Sequence, residues 1–319
     1  MRRILKLATI TAVVTALTLP AVAITDGEPD GGEHPYVGQL LFFVPDETDS
    51  RFDDPGAWFS CSGTLLDDTT VLTAGHCTFA VGMDANSTNL ADSPLVDTDG
   101  DGTADNASGG NDMWISFAEE PDFSILAPSD SYARDENPKR YDDWSTALNA
   151  SSQWTRGTSH PHIDYNDAAF VLHDAGVVEL QSDPGVDGIG VLPELGHLDA
   201  FKTSKRSENR FTAVGYGLNT GFRTFLGGDT REKANMMLVN LDGTYGIPEG
   251  TSVVFSGNKG VTHSGGTCFG DSGGPVFEGD TNLIVAVTSF GITFNCVEPG
   301  GYYRIDQTDD LAFIGDFLN

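Results

Sequence analysis

Apolar residues in this chain come in short runs of strand length, each closed by glycine, aspartate or proline. Tyr36 to Phe43, Trp58 to Leu66, Thr70 to Ala74, Phe211 to Gly217 and Leu283 to Thr288 are the clearest. With 38 glycines in 319 residues, this pattern predicts an all-β protein with many turns. The length allows a full core, in one large domain or two small ones. Residues 128–158 read as loop with one helical turn, and residues 181–210, rich in Gly, Pro and charge, as a connection between two halves. Near the end, Leu311, Ile314, Phe317 and Leu318 have the spacing of one short amphipathic helix, N-capped by Thr308.

The net charge is −30, from 17 Lys+Arg against 47 Asp+Glu. Such a surface repels phosphate backbones and argues against nucleic-acid binding. The first residues form a targeting segment. Arg2, Arg3 and Lys6 are basic, Leu7 to Leu19 is apolar, and Ala21-Val22-Ala23 has the small-x-small form of a cleavage site. The apolar run is too short for a membrane span. It reads as a bacterial-looking secretory signal peptide, residues 1–23, leaving a soluble, exported chain with no membrane attachment. The four cysteines suit that oxidising destination. They allow three pairings, and spacing does not choose among them.

One glycine-rich stretch can carry chemistry, Gly265-Gly266-Thr267-Cys268-Phe269-Gly270-Asp271-Ser272-Gly273-Gly274-Pro275. A serine on such a loop is a candidate nucleophile. It needs a base, a carboxylate to hold that base, and donors for the oxyanion. Of seven histidines, only His76 ends a β-rich segment beside a cysteine. Among the acids, Asp167 stands immediately before a segment, Ala168 to Leu172, that reads as a buried strand.

Thr73-Ala74-Gly75-His76-Cys77, Asn166-Asp167-Ala168-Ala169-Phe170-Val171-Leu172 and Gly270-Asp271-Ser272-Gly273-Gly274-Pro275 together resemble the three catalytic motifs of the chymotrypsin/trypsin family of serine proteases, in that family's order. Cys61-Ser62-Gly63-Thr64-Leu65, His160-Pro161, Gly215-Tyr216-Gly217 and Thr288-Ser289-Phe290-Gly291 resemble its flanking segments. The resemblance covers nearly all of residues 24–319. It implies two six-stranded antiparallel β-barrels, chymotrypsin-like, with a short C-terminal helix. Residues 24–193 would form the half carrying His76 and Asp167, and residues 194–319 the half carrying Ser272, with the boundary near Pro193.

By that resemblance His76 is general base and acid, Asp167 orients it and Ser272 attacks, with the N–H groups of Gly270 and Ser272 as oxyanion hole. Ser289 helps hold the aspartate. The disulfides become Cys61–Cys77 and Cys268–Cys296. A new amino terminus at Ile24, freed by signal cleavage, would pair with Asp271. The substrate pocket would comprise Gly266, Thr267, Ser289, Phe290, Gly291 and Gly300. Glycine at the floor position, Gly266, in place of a carboxylate points to large apolar or aromatic residues rather than Arg or Lys. The implied activity is that of a secreted, monomeric serine endopeptidase acting on proteins and peptides without a catalytic cofactor.

Other readings compete at particular residues. Asp97, Asp99, Asp101 and Asp105, with Gly102, have the alternation of a calcium loop within a polar insertion at about residues 82–112; the alternative is a solvated acidic loop. His160, His162 and Asp164 could be drawn as a metal cluster, but the resemblance makes them the approach to the aspartate. Three Asn-x-Ser/Thr sites begin at Asn86, Asn106 and Asn149. An α/β-hydrolase esterase would satisfy the Gly-x-Ser-x-Gly pattern but needs serine before aspartate before histidine. The remaining alternative is a catalytically silent binding protein on the same scaffold.

Overall fold

The computed structural model describes residues 24–318 apart from residues 26, 45–56, 80, 82–111, 134–135, 167–168, 170, 204–209, 221–225, 242–247, 249, 258–264, 292–295 and 297–298. The chain runs β1 (Glu28–Pro29), β2 (Val37–Val44), β3 (Ala57–Leu65), β4 (Thr70–Thr73), helix α1 (Gly75–Thr78), β5 (Asp112–Ser116), helix α2 (Asn137–Ala150), β6 (Thr155–Pro161) and β7 (Gly176–Leu180). It continues with β8 (Arg210–Gly215), β9 (Leu218–Thr220), β10 (Leu226–Gly227), β11 (Glu232–Asn240), β12 (Ser252–Phe255), β13 (Pro275–Glu278), β14 (Ile284–Gly291), β15 (Gly300–Arg304) and helix α3 (Thr308–Gly315). No helix among the described residues is long and apolar enough to cross a membrane.

The strands close into two antiparallel barrels, as the sequence leads one to expect. The first is β2-β3-β4-β7-β6-β5. The second is β8-β11-β12-β15-β14-β13, closed because β8 pairs with both β11 and β13. The segment from Leu180 to Arg210 joins them. The termini cross over. β1, at the start of the chain, pairs with β11 of the second barrel. Helix α3, at the end, lies on the first: the Thr70 hydroxyl donates to the Phe317 carbonyl, and Phe313 and Phe317 pack on the rings of His162 and His160.

Strand β2 is buried along its whole length, without the alternation of a half-exposed strand. Leu40, Phe42 and Val44 face the barrel interior, while Leu41 joins Trp114, Leu148 and Trp154 in a second cluster outside it. Helix α2 supplies that outer cover. Where the sequence suggests loop with one helical turn, fourteen residues are helical. Tyr141, Trp144 and Leu148 repeat at helical spacing and turn one stripe inward. The rest of the helix is polar, which hides the pattern. Tyr141 and Trp144 contact Trp58, and Trp114 donates its indole N–H to Asn149.

Between the barrels lies a buried ion pair. The Arg231 guanidinium reaches Asp30 at 3.0 Å and also donates to the carbonyls of Val37 and Phe117 and to the Tyr216 hydroxyl. Burial works to raise the Asp30 pKa, but hydrogen bonds from His34 and Arg231 hold it down to about 2. The group therefore contributes stability above the ordinary carboxylate pKa and loses it only as pH falls toward 2.

At helix α3 the N-cap is Gln307 rather than Thr308, and no side chain closes the cap. Asp309 and Asp310 fill the first turn, where the helix dipole favours acids. Asp310 is fully buried and accepts the Tyr303 hydroxyl at 3.0 Å. Burial, with Asp309, Asp306 and Asp174 nearby, pushes its pKa up to about 7 despite that hydrogen bond. A carboxylate raised in this way costs stability once pH exceeds its unfolded value, and the full cost is present above about pH 7. Asp310→Asn should therefore raise the melting temperature by about 2–4 °C at pH 8. Calorimetry across pH should find the gain shrinking as pH falls below 7 and vanishing near the ordinary carboxylate pKa.

Candidate active site

His76 sits in the first turn of α1, directly after β4. Its neighbour Cys77 is disulfide-bonded to Cys61 of β3, which fixes that turn to the barrel wall. Gly75 is required sterically, since a Cβ there would lie 2.8 Å from the Tyr165 ring. At Gly176, where β7 begins, a Cβ would meet the Ala74 carbonyl at 2.7 Å. The start of β7 is thus pressed against the histidine turn.

The carboxylate beside His76 is that of Asp174. His76 Nδ1 lies 3.0 Å and 3.1 Å from the two Asp174 oxygens, and the His76 backbone N–H donates to Oδ1 at 2.8 Å. The Ser289 hydroxyl, from β14 of the second barrel, donates to Oδ2 at 2.5 Å. Asp174 is fully buried, while His76 is partly open. Asp167 lies outside the described residues. The strand that follows Asp174 is β7, running Gly176-Val177-Val178-Glu179-Leu180 and pairing with both β4 and β6. The acid just before that strand is Asp174. Both acids precede alanine, so the telling signal was the β-branched pair Val177-Val178, richer in strand formers than Ala168-Ala169-Phe170.

Ser272 lies between two tight turns, in which Asp271 N–H donates to Cys268 O and Gly274 N–H to Asp271 O. Positive φ angles at Gly270 (98°) and Gly273 (75°) hold the loop in a shape closed to most side chains. Ser62 of β3 ties this loop to the first barrel: its N–H donates to Ser272 O at 2.8 Å and its hydroxyl to Gly270 O at 3.0 Å. That hydroxyl also accepts the Tyr216 N–H. Ser62 was visible in sequence only as part of a flanking motif, and nothing there marks its double role.

Asp271 is fully buried, and its carboxylate accepts N–H bonds from Gly217 (2.7 Å) and Cys268 (2.8 Å). Burial outweighs these bonds and pushes its pKa up to about 7. Ile24 is also fully buried, and Thr25 forms a two-bond bridge with Gly266. The N-terminal segment is thus bridged to Gly266, just before the disulfide-bonded Cys268 and Asp271.

In the pocket region, Gly266 packs against Gly257, with a Cβ position 2.7 Å from its Cα. Gly291 and Gly300 face each other in register, so neither wall carries a side chain there. Phe290 lies over Gly301. The polar groups are neutral: the Thr267 hydroxyl and the Tyr302 hydroxyl are 2.9 Å apart, and burial raises the Tyr302 pKa to about 12. Cys268 and Cys296 are joined across this region.

The residues that invite a metal are otherwise engaged. His160 pairs with Glu179. His162 converges with His173 and Asp310, but its Nδ1 already accepts the Asp164 backbone N–H at 3.1 Å. Asp97, Asp99, Asp101 and Asp105 lie outside the described residues.

A family model described as Trypsin matches residues 137–311, more than half of the chain. The chain belongs to the trypsin family. Among solved structures it is similar to HL collagenase, with a TM-score of 0.59 and 16% identity over 93% of this chain and 100% of that one. It is also similar to human heparin binding protein, with a TM-score of 0.53 and 14% identity over 93% and 98%. No curated protein sequence matches it. The site lies between the barrels, where Gly215 and Gly217 make room for the acid beside Ser272. A Cβ at Gly217 would lie 2.5 Å from the Asp271 carboxyl carbon. Gly217→Ala should cost at least ~2 kcal/mol of stability, measurable by urea denaturation.

Proposed function

We propose that the chain is a secreted serine endopeptidase that cleaves proteins and peptides after large apolar or aromatic residues, acting as a monomer without a catalytic cofactor. The observation that carries this reading is the Asp174 carboxylate, shared by His76 of the first barrel and Ser289 of the second. That arrangement leaves His76 Nε2 as the atom that takes the Ser272 proton. Ser272 Oγ then bonds to the substrate carbonyl carbon, and the oxyanion is held by the N–H groups of Gly270 and Ser272. His76 returns the proton to the departing amine as the C–N bond breaks. Water repeats the sequence on the acyl-enzyme and frees Ser272. The preference for apolar residues rests on the neutral floor at Gly266, Thr267 and Tyr302 and on the glycine walls.

Binding without catalysis is the second reading, favoured by the likeness to a heparin binding protein. A net charge of −30 opposes a polyanionic ligand, and a partly open His76 held by a buried Asp174 is an arrangement that binding alone does not require. A fluorophosphonate probe should label the protein at Ser272, and Ser272→Ala should abolish labelling. Asp174→Asn should lower kcat about 10⁴-fold, whereas Asp167→Asn should change it little. The reverse ranking would reinstate Asp167 as the partner of His76.

The buried Asp271 carboxylate calls for a cation. Removal of residues 1–23 would create one, the Ile24 ammonium, at a position already buried. Signal cleavage would then itself produce the active form. A chain with one extra residue before Ile24 should lose most activity in a peptide-hydrolysis assay; full activity would overturn this step.

A further inference from the structure

The carbonyls of the serine loop from Cys268 to Ser272 all accept a hydrogen bond. Their donors are, in order, the N–H of Asp271, the N–H of Leu218, the hydroxyl of Ser62, the N–H of Gly274 and the N–H of Ser62. Apart from the hydroxyl these donors are backbone groups, and they do not depend on a side chain. The Ser62 hydroxyl, 3.0 Å from Gly270 O, is supplied by the sequence at one position. The Gly270–Asp271 peptide that it holds lies between the Gly270 and Ser272 N–H groups, the proposed donors to the oxyanion. Its orientation therefore governs how far apart those donors stand and where they point. Gly270, at φ 98°, does not hold that peptide by itself, because glycine moves readily among conformations closed to other residues.

The Ser62 hydroxyl is itself oriented. It carries one proton. The Tyr216 N–H, 3.1 Å away, can only donate, so the hydroxyl accepts there and its proton is left for Gly270 O. Ser62 is fully buried, and no solvent competes for either bond. The barrel wall keeps it in place. Ser62 pairs with Gln39 of β2, and its carbonyl accepts the Thr73 hydroxyl at 2.9 Å. Thr73 ends β4, directly before the turn that carries His76. One residue of the first barrel is thereby joined to the serine loop by its N–H and hydroxyl, and to the histidine strand by its carbonyl.

We infer that Ser62 is a positioning residue for the oxyanion hole, its hydroxyl fixing the Gly270–Asp271 peptide and through it the aim of the Gly270 and Ser272 N–H groups. It touches no reacting atom. This role rests on the proteolytic reading above and adds to it a residue on which the rate depends. The His76–Asp174 contacts do not involve the Ser62 hydroxyl.

Ser62→Ala removes the hydroxyl and keeps the backbone N–H. Its kcat on a peptide substrate, counted per site labelled to completion by a fluorophosphonate, should fall about 10- to 100-fold, short of the cost of losing a whole donor. KM should change by less than about twofold, as for an interaction made only in the transition state. A peptide boronate places an oxygen where the oxyanion forms once its boron bonds to Ser272, so its affinity should fall by the same factor as kcat. The acid limb of the kcat/KM profile should stay at its wild-type pH, because His76 keeps Asp174. Weakened folding alone would lower the number of labelled sites and leave kcat per labelled site unchanged. A wild-type kcat per labelled site in Ser62→Ala overturns the inference, as does a loss confined to KM or to a shifted acid limb with boronate affinity intact. If Ser62→Ala does not fold, Ser62→Gly, which also lacks the hydroxyl, is read in the same way. Wild-type protein that neither cleaves peptides nor reacts with the fluorophosphonate removes the proteolytic reading and this inference with it. Active wild-type protein beside an equally active Ser62→Ala removes this inference alone.

Discussion

The Asp174 carboxylate is the point on which the two barrels agree. It is fully buried, and its oxygens are shared among the His76 ring, the His76 backbone N–H and the Ser289 hydroxyl. A buried charge is tolerated only when its lone pairs are met. Meeting them requires β7, helix α1 and β14 to hold position together. Ser62 performs the reciprocal task, carrying the first barrel to the serine loop through its N–H and its hydroxyl. The site is therefore assembled by two sets of hydrogen bonds that cross the same seam in opposite directions.

Much of this was legible. The strand-length apolar runs and glycines foretold an all-β protein, and the family resemblance foretold two β-barrels and both disulfides. The histidine turn and the serine loop were marked by residues that tolerate few substitutes, glycine above all. The aspartate was not so marked. Asp167 and Asp174 are both acids before alanine, and the choice depends on where a strand pairs, which is a non-local property. Helix α2 was hidden for a related reason. Only one stripe of it is apolar, and that stripe packs on the outside of a barrel strand already buried on its inner face. A periodicity search sees a polar segment, while the packing partners, Trp58 and Trp114, lie far away in sequence.

The same helix illustrates how a family scaffold acquires individuality. The barrels are needed to bring His76, Asp174 and Ser272 into register, so their strands have little freedom. Helix α2 and the aromatic residues under it are attached to the outer face of β2 and β5, where nothing in the triad constrains them. They also line a cleft with Leu218, whose N–H donates to Phe269 O of the serine loop. Substitutions can accumulate there without disturbing the contacts that hold His76 against Asp174.

The crossing of the two termini bears on how such a protein comes apart. The first strand of the chain completes the edge of the second barrel, and the last helix covers the first. Neither half holds its own end. A polypeptide that ends at the connection between the barrels leaves β11 without its edge partner or leaves Thr70, His160 and His162 without their helix. Unfolding of one half strips a component from the other, so the pair behaves as a single cooperative unit despite containing two closed barrels. That coupling means that no intermediate with one barrel open and the other intact need be populated.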